Sequence, residues 1–310
     1  METTYKVEHL PGTKTSIGEG PFYDVKTNNL YWVDIVGGQL SRMDMAINRV
    51  FTADTGGDHA SFIVPVDSKD NNQFIIGACN SLLLINWNGF SMHVDRVLAE
   101  IPIEGVRFND AKTDSRGRLY LGTMISDDTG TVFDFSKRVG SLYRFTMAEG
   151  LVKLKTDVGF SNGIAFDEKE NKMYYVDSYD LNVKVFAYDV DTGNISDEKV
   201  LIDLTSFGTP KTNVPDGLNI DCEGNLYVAM FGGSKILKIN TATGKVINEI
   251  PMPVNQITSM AFGGENLDTL FVTTAGKDVV SAQSFPAGCV FKVTNLGVRG
   301  TPMTKFSIAK

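Results

Sequence analysis

The chain has 310 residues, 42% hydrophobic and 21% charged, values typical of a soluble globular protein with a large core. Its formal net charge of −8 leaves no basic face for a phosphate backbone, so nucleic acid is not an expected partner. The sequence contains no run of 18 apolar residues, so no membrane span is expected. The N-terminus lacks the apolar segment of a signal peptide. Three widely spaced cysteines without a CxxC pair are typical of reduced thiols, which predicts a cytoplasmic protein.

A short phrase recurs six times along the chain, with a period of roughly 40 to 55 residues. The copies start with Gly-Glu-Gly-Pro at 18–21, Ala-Ser-Phe-Ile at 60–63, Phe-Asn-Asp-Ala at 108–111, Ser-Asn-Gly-Ile at 161–164, Pro-Asp-Gly-Leu at 215–218 and Thr-Ser-Met-Ala at 258–261. A repeat of this length indicates a radial or solenoid architecture.

The fifth copy shows the repeating unit most completely. Alternating residues at 216–221 predict a first strand, and the apolar run at 226–231, rich in aromatic and β-branched residues, predicts a second. Third and fourth strands are predicted at 235–240 and 245–250, with turn sequences between them. Four antiparallel strands joined by tight turns make one blade of a β-propeller.

The same strands recur in the other copies. Second strands are predicted at 29–34, 73–78, 118–123, 172–177 and 269–274, and third strands at 140–145, 183–188 and 288–293. Six units give about 52 residues each, which suits a four-stranded blade with its loops. The sequence therefore predicts an all-β, six-bladed β-propeller, formed as a single domain over residues 1–310. Residues 5–7 are the predicted outer strand of the last blade, because an open terminal blade would leave a sheet edge unpaired.

Polar residues occupy equivalent positions in four copies, and in each an aspartate follows five residues later. The pairs are Glu19 with Asp24, Asn109 with Asp114, Asn162 with Asp167 and Asp216 with Asp221. The first strand of each blade lines the channel of a propeller, so equivalent residues converge on its axis. Two carboxylates with one or two amide oxygens suit a hard divalent cation such as Ca²⁺, Mg²⁺ or Mn²⁺. We therefore expect a metal site in the central channel.

Each motif alone has a simpler interpretation. Glu19, Asn162 and Asp216 stand beside glycine and could mark ordinary turns, but their shared register in the repeat favours a joint metal site. The segment 189–200 begins like an EF-hand loop but lacks its sixth-position glycine and its final glutamate. Residues 239–245 lack the first glycine of a phosphate loop, and the three histidines have no metal-ligand spacing or catalytic-triad motif.

Nine motifs in the chain resemble those of the regucalcin/gluconolactonase family. They are Gly-Glu-Gly-Pro (18–21), Arg-Phe-Asn-Asp (107–110), Gly-Thr-Met (122–124), Gly-Ser-Leu-Tyr (140–143), Ser-Asn-Gly (161–163), Tyr-Tyr-Val-Asp-Ser (174–178), Pro-Asp-Gly (215–217), Ala-Phe-Gly-Gly (261–264) and Leu-Gly-Val-Arg-Gly (296–300). They span essentially the whole chain, in order and at compatible spacing. The family includes animal senescence marker proteins and insect luciferin-regenerating and anterior fat body proteins, and the insect regucalcin-like branch is the most similar.

The resemblance implies one divalent cation at the channel mouth, held by Glu19, Asn162 and Asp216. Ca²⁺ is the expected ion, with Zn²⁺, Mn²⁺ or Mg²⁺ as alternatives. It also implies that Arg107 and Asn109 hold the substrate, and many members of the family are lactone hydrolases.

Two residues depart from the family's pattern. Ala111 stands where the family usually has glycine after Arg-Phe-Asn-Asp, a change that leaves the metal ligands untouched. An acidic residue after Gly-Thr-Met contacts sugar hydroxyls in animal members, and here Asp127 replaces the more usual glutamate. A shorter acid reaches less far, so this departure concerns the preference for sugar lactones rather than catalysis.

The resulting prediction is a metal-dependent hydrolase of small-molecule lactones or esters, acting as a monomer. The cation would polarise the carbonyl, with Asp216 as candidate general base and Arg107 and Asn109 orienting the ring. Two alternatives remain open: a non-enzymatic calcium-binding regulatory protein, and a hydrolase of phosphotriesters or of the luciferin-regenerating type. A substrate clamp beside the metal favours an enzyme, because a pure ion buffer needs none.

Overall fold

A computed structural model describes residues 5–57, 59–125, 137–207 and 212–308. Within these residues, twenty-four strands form six antiparallel sheets of four strands each. The helical structure in the same ranges is a single 3-10 turn, Ser178–Asp180. The prediction of an all-β, six-bladed propeller is confirmed. The described residues contain no helix with the length and apolar character needed to span a bilayer.

The strands are named here by their place in a blade. The innermost strands are β2 (Gly18–Asp24), β6 (Ala60–Pro65), β10 (Val106–Thr113), β14 (Ser161–Asp167), β18 (Val214–Ile220) and β22 (Ile257–Gly263). The second strands are β3 (Asn29–Asp34), β7 (Gln73–Ala78), β11 (Leu119–Ile125), β15 (Lys172–Asp177), β19 (Asn225–Phe231) and β23 (Thr269–Thr274). The third strands are β4 (Gln39–Asp44), β8 (Ser81–Trp87), β12 (Gly140–Thr146), β16 (Asn182–Tyr188), β20 (Lys235–Asn240) and β24 (Phe291–Thr294). The outermost strands are β5 (Arg49–Asp54), β9 (Met92–Glu100), β13 (Gly150–Val158), β17 (Ile195–Asp203), β21 (Lys245–Pro251) and, in the sixth blade, β1 (Lys6–His9).

Burial falls from the inner to the outer strands of a blade. Every residue of β18 and β19 is buried, whereas most residues of β9 and β17 are exposed or half-buried. An inner or second strand packs against neighbouring blades on both faces, so it reads as a continuous apolar run rather than an alternation. This is why the second strands were the easiest elements to recognise in the sequence.

The ring closes by pairing the two ends of the chain. β1 lies antiparallel to β24, with Lys6 opposite Thr294 and His9 opposite Phe291, and forms the outer strand of the last blade. The six inner strands contact one another in a closed cycle, from β2 to β6 and onward until β22 meets β2 again. The predicted closure is therefore confirmed, with the strand beginning at residue 6 and continuing to residue 9.

The third strand of the last blade starts three residues later than expected. Gly288 has a φ of +86°, a left-handed conformation that does not fit a regular strand. Its carbonyl accepts hydrogen bonds from the Thr15 backbone N–H (2.9 Å) and hydroxyl (2.8 Å). This segment is therefore tied to the chain that leads into β2, and the regular strand begins at Phe291.

The segment 301–308 packs against the C-terminal ends of several inner strands. The Phe306 N–H donates to the Pro65 carbonyl (2.9 Å), and the Asp67 N–H donates to the Phe306 carbonyl (2.8 Å). The Phe306 ring is fully buried and stacks on Phe145 with 5.8 Å between centroids.

We predict that Phe306→Ala lowers the free energy of unfolding by about 3–5 kcal/mol, because it leaves a cavity in a packed core. Phe90→Ala is the matched control, since the Phe90 side chain is 80% exposed, and its effect should stay within about 0.5 kcal/mol. Urea unfolding of the three proteins provides the comparison. Equal effects at the two positions would show that this segment does not contribute to the core as described.

Candidate functional site

Five of the six residues predicted for the site lie around one cavity. Glu19, Arg107, Asn109, Asn162 and Asp216 all line it. They come from four different blades, and each belongs to an inner strand. The cavity has a volume of about 40 Å³. That is room for a cation with roughly three water molecules.

The sixth predicted residue, Asp127, lies outside the described residues, so its place relative to the cavity stays a prediction.

A register irregularity marks the same point in all six inner strands. Pairing with the second strand shifts between residues 19 and 22, 60 and 62, 108 and 111, 161 and 164, 215 and 218, and 257 and 260. A bulge of this kind re-aims side chains and is common next to functional sites. The recurring phrase seen in the sequence is therefore the sequence of this bulge.

Glycines that follow two of the polar residues allow neighbouring inner strands to approach closely. A Cβ on Gly163 would lie 2.4 Å from the Leu218 nitrogen and 2.7 Å from the Asp216 carbonyl oxygen. A Cβ on Gly217 would lie 2.2 Å from the Ser259 hydroxyl oxygen. All three distances, to backbone atoms or to a short side chain, are too small for a residue other than glycine. In the Ser-Asn-Gly and Pro-Asp-Gly motifs, a polar residue is thus followed by a glycine that lets the next inner strand approach closely.

Two carboxylates face this cavity, and both bind their protons unusually tightly. Burial raises the pKa of Glu19 from 4.5 to about 8, and the negative charge of Asp110 adds to the rise. A hydrogen bond from the Gly20 N–H and the positive charge of Arg107 oppose it. Burial, followed by the charges of Glu19 and Asp110, raises the pKa of Asp216 well above its usual range. If both carboxyls ionised, the site would hold more negative charge than one guanidinium compensates.

Amide groups are held between these carboxylates by hydrogen bonds. Arg107 Nη1 donates to Asn109 Oδ1 (2.8 Å), and Asn109 Nδ2 donates to Asn162 Oδ1 (2.8 Å). Asn162 Nδ2 donates in turn to the Ser178 hydroxyl (2.8 Å). An amide oxygen has two lone pairs, so Asn162 Oδ1 can accept from Asn109 and still bind a cation. Asn109 has both ends of its amide engaged by protein groups, so a substrate would share them.

The remaining wall of the cavity is apolar. It consists of Ile17, Ile35, Phe160, Val214, Phe231 and Val279, with Thr258 as a further residue of the lining. An apolar wall keeps the local dielectric low and strengthens every charge interaction within it. The six apolar residues could not be identified from the sequence, because they stand in loops or at strand ends outside the repeated phrase.

Two further aspartates, not chosen from the sequence, fix the segments that lead into the inner strands. The Asp34 carboxylate accepts from the backbone N–H groups of Ser16 (2.7 Å) and Ile17 (3.0 Å). The Asp177 carboxylate accepts from those of Gly159 and Phe160 (both 2.9 Å). Both end a second strand with the sequence Val-Asp, and that recurrence was the signal that could have identified them.

The aspartates that follow five residues later lie at the opposite end of the inner strands, where they close turns. Asp114 Oδ1 accepts from the Arg118 N–H (3.0 Å), and Asp221 Oδ1 accepts from the Asn225 N–H (2.8 Å). A larger cavity of about 630 Å³ opens beside Asp114, Asp167 and Asp221. Because these carboxylates serve the turns, we take the smaller cavity at the other end as the candidate functional site.

In the part of the chain that the structure describes, no three His, Cys, Asp or Glu side chains are grouped so as to hold a metal ion. A metal site in the smaller cavity would therefore depend on the Asn162 amide oxygen in addition to the Glu19 and Asp216 carboxylates.

The chain matches known proteins over nearly its whole length. Residues 17–276 match the family model described as SMP-30/Gluconolactonase/LRE-like region. Regucalcin of Danio rerio is 32% identical over 303 residues, which are 97% of this chain and 98% of that protein. A Bacillus subtilis protein provisionally named a sugar lactone lactonase is 33% identical over 88% of each chain.

A solved structure of a luciferin-regenerating enzyme is 32% identical and superposes with a TM-score of 0.88, covering 98% of this chain and 99% of the other. A regucalcin from Agrobacterium tumefaciens, described as a calcium-binding protein, shares the fold at 23% identity with a TM-score of 0.82, covering 97% of each chain. The resemblance noted in the sequence is thereby confirmed: the chain belongs to the SMP-30/gluconolactonase/LRE-like family.

Proposed function

We propose that this protein is a divalent-metal-dependent hydrolase of small-molecule lactones. One observation carries the proposal: two buried carboxylates, two amides and a buried guanidinium share a single small cavity. The family supports it, since its description includes gluconolactonase and a relative is provisionally named a sugar lactone lactonase. The free thiols of all three cysteines support a cytoplasmic location.

The donor set fits a hard divalent cation. Glu19, Asn162 and Asp216 offer only oxygen, the ligand that Ca²⁺, Mg²⁺ and Mn²⁺ prefer, and Ca²⁺ is the ion we favour. Among the described residues, none donates a hydrogen bond to the Asp216 carboxylate, so its oxygens are available for binding. The raised pKa values of Glu19 and Asp216 show that burial makes their charged forms costly, and a cation would offset that cost. When bound, such an ion would supply a Lewis acid beside the ester carbonyl.

Arg107 is placed to hold and orient the substrate. Its side chain is 4% exposed, and Nη1 is fixed by the Phe108 carbonyl and Asn109 Oδ1, both at 2.8 Å. A planar guanidinium aligns oxygen pairs better than a flexible ammonium group does, and a fixed orientation reduces the entropy lost on binding. Asn109 orients Asn162 and would share its amide with the substrate.

Asp216 is the proposed general base. Its carboxylate would take one proton from a water molecule as the water oxygen bonds to the acyl carbon and the ring C–O bond breaks. That proton would then pass to the ring oxygen, so the product is the open hydroxy acid. In the metal-free protein burial raises the pKa of Asp216 and favours its protonated form, so the carboxylate would be free to act as a base only when a cation favours its ionised form.

Two other functions remain as alternatives. A calcium-binding protein without enzymatic activity would use the same three ligands, as the names of the regucalcin relatives suggest. A substrate of the luciferin-regenerating type is the other, given the structure that is 32% identical. The buried Arg107 within the same cavity favours an enzyme over an ion buffer.

The enzyme and the buffer are separated by an assay of purified protein. Gluconolactone, a simple lactone panel and a phosphotriester are each offered with Ca²⁺, Mg²⁺, Mn²⁺ or Zn²⁺, and again with a chelator. Lactone turnover that needs the ion supports the proposal. Tight Ca²⁺ binding without turnover of any substrate would favour the regulatory alternative.

We predict that Asp216→Ala abolishes both Ca²⁺ binding and lactone hydrolysis, because it removes a ligand and the base together. Calorimetric titration and an ester assay measure the two losses. Asp167→Ala is the matched control at the opposite end of an inner strand, and it should keep both activities. Hydrolysis at the wild-type rate by Asp216→Ala would rule out the role given to this residue.

We also predict that Ca²⁺ stabilises the protein more as the pH rises from about 5 to about 9. Folding raises the pKa of Glu19 from 4.5 to about 8, so between these values the unfolded chain ionises while the folded metal-free protein keeps its proton. The free energy of unfolding of the metal-free protein therefore falls with rising pH in that window. A cation that binds the ionised carboxylate should restore the free energy of unfolding that is lost in this window.

Thermal unfolding with a chelator or with Ca²⁺, at several pH values, measures this effect. Glu19→Gln, which has no proton to lose, should weaken the pH dependence of the metal-free protein. A Ca²⁺-induced shift of the same size at pH 5 and pH 9 would contradict the assignment of Glu19 as a ligand.

A further inference from the structure

Hydrogen bonds beside the cavity run in one direction across three blades. Arg107 Nη1 donates to Asn109 Oδ1, Asn109 Nδ2 to Asn162 Oδ1, and Asn162 Nδ2 to the Ser178 hydroxyl, each at 2.8 Å. The Ser178 hydroxyl then donates to the Pro215 carbonyl at 2.6 Å. Pro215 directly precedes Asp216, so the series ends on the strand that carries another proposed ligand.

This series fixes which end of the Asn162 amide meets Asn109 and which meets Ser178. If the amide rotated by half a turn, its NH₂ would meet the NH₂ of Asn109, and two donors would oppose each other. Its oxygen would meet the Ser178 hydroxyl, whose hydrogen is already directed to the Pro215 carbonyl. Both contacts would lack a donor–acceptor pair in a buried place, which is costly.

Ser178 itself is set rigidly. It is fully buried and begins the 3-10 turn Ser178–Asp180. The preceding residue, Asp177, caps this turn by accepting from the Tyr179 N–H (3.2 Å) and also binds the Gly159 and Phe160 N–H groups. The hydroxyl therefore has a fixed position relative to Asn162, although it does not line the cavity.

We propose that Ser178 is a positioning residue for the metal site: its hydroxyl holds the Asn162 amide with the oxygen towards the cavity and joins it to the strand of Asp216. The inference rests on the proposed metal site and assigns a role to a residue outside the ligand set. Groups that orient metal ligands typically change metal affinity by about 10- to 100-fold when they are removed.

A double-mutant cycle with Ca²⁺ binding as its readout tests this role. In Ser178→Ala, the Asn162 NH₂ loses its acceptor, and we expect Ca²⁺ affinity to fall by about tenfold or more. In Asn162→Asp, position 162 has no donor and both its oxygens can face the ion. Adding Ser178→Ala to Asn162→Asp should therefore change affinity by less than about threefold. A general loosening of the fold would weaken binding equally in both backgrounds.

Tyr175→Phe provides the matched control. It removes another fully buried hydroxyl of the same blade, one that donates to the Ser161 hydroxyl (2.7 Å) and not to Asn162. Its Ca²⁺ affinity should stay within about twofold of the wild type, although its stability falls by about one hydrogen bond. If Ser178→Ala does not fold, Ser178→Cys, which keeps the shape with a weaker acceptor, takes its place in the cycle.

The outcomes separate this inference from the proposed function. Wild-type protein that binds none of the divalent cations would overturn the metal site and the role of Ser178 with it. Wild-type protein that binds Ca²⁺, with Ser178→Ala binding equally well, would overturn only the positioning role. The positioning role would also be overturned if Ser178→Ala lowered the Ca²⁺ affinity equally in the wild type and in Asn162→Asp.

Discussion

The structure depends on one constraint: Glu19 and Asp216 are buried in the same small cavity, where burial raises the pKa of both and the charge of Glu19 makes Asp216 still harder to ionise. Negative charge in a low-dielectric site is unfavourable unless a positive charge accompanies it. Arg107 provides one such charge. The cation that we propose for this cavity would supply a further positive charge and offset the cost of ionising both carboxylates.

Circular closure brings these distant residues together, and glycine determines how closely. Glu19 and Asp216 are far apart in the chain, but β2 and β18 belong to the same ring of inner strands because β1 pairs with β24. The missing side chains of Gly163 and Gly217 let backbones approach to distances that a Cβ would prevent. The candidate site therefore depends on two glycines, which have no side chain to contribute, as much as on the proposed ligands.

Much of this arrangement could be predicted from the sequence, because a bulge that repeats in every blade leaves a repeated phrase. The register of Glu19, Asn162 and Asp216 predicted that they would share one place, and the structure brings them to one cavity. The aspartates five residues later looked similar in sequence yet close turns at the other end of the strands. The sequence pattern shows which residues occupy equivalent positions in the blades. It does not show which hydrogen bonds a side chain makes, so it could not distinguish residues that line the cavity from aspartates that close turns.

Six equivalent positions do not give a six-fold site, because the side chain in each copy decides its partner. In the second blade, the Ser61 hydroxyl donates to the Phe108 carbonyl (2.6 Å). In the sixth blade, the Thr258 hydroxyl donates to the Gly18 carbonyl (2.6 Å), next to Glu19. These hydroxyl groups bind the backbone of the next inner strand and so join the blades, although Thr258 also lines the cavity. The asymmetry of the candidate site follows from the different side chains at otherwise repeated positions.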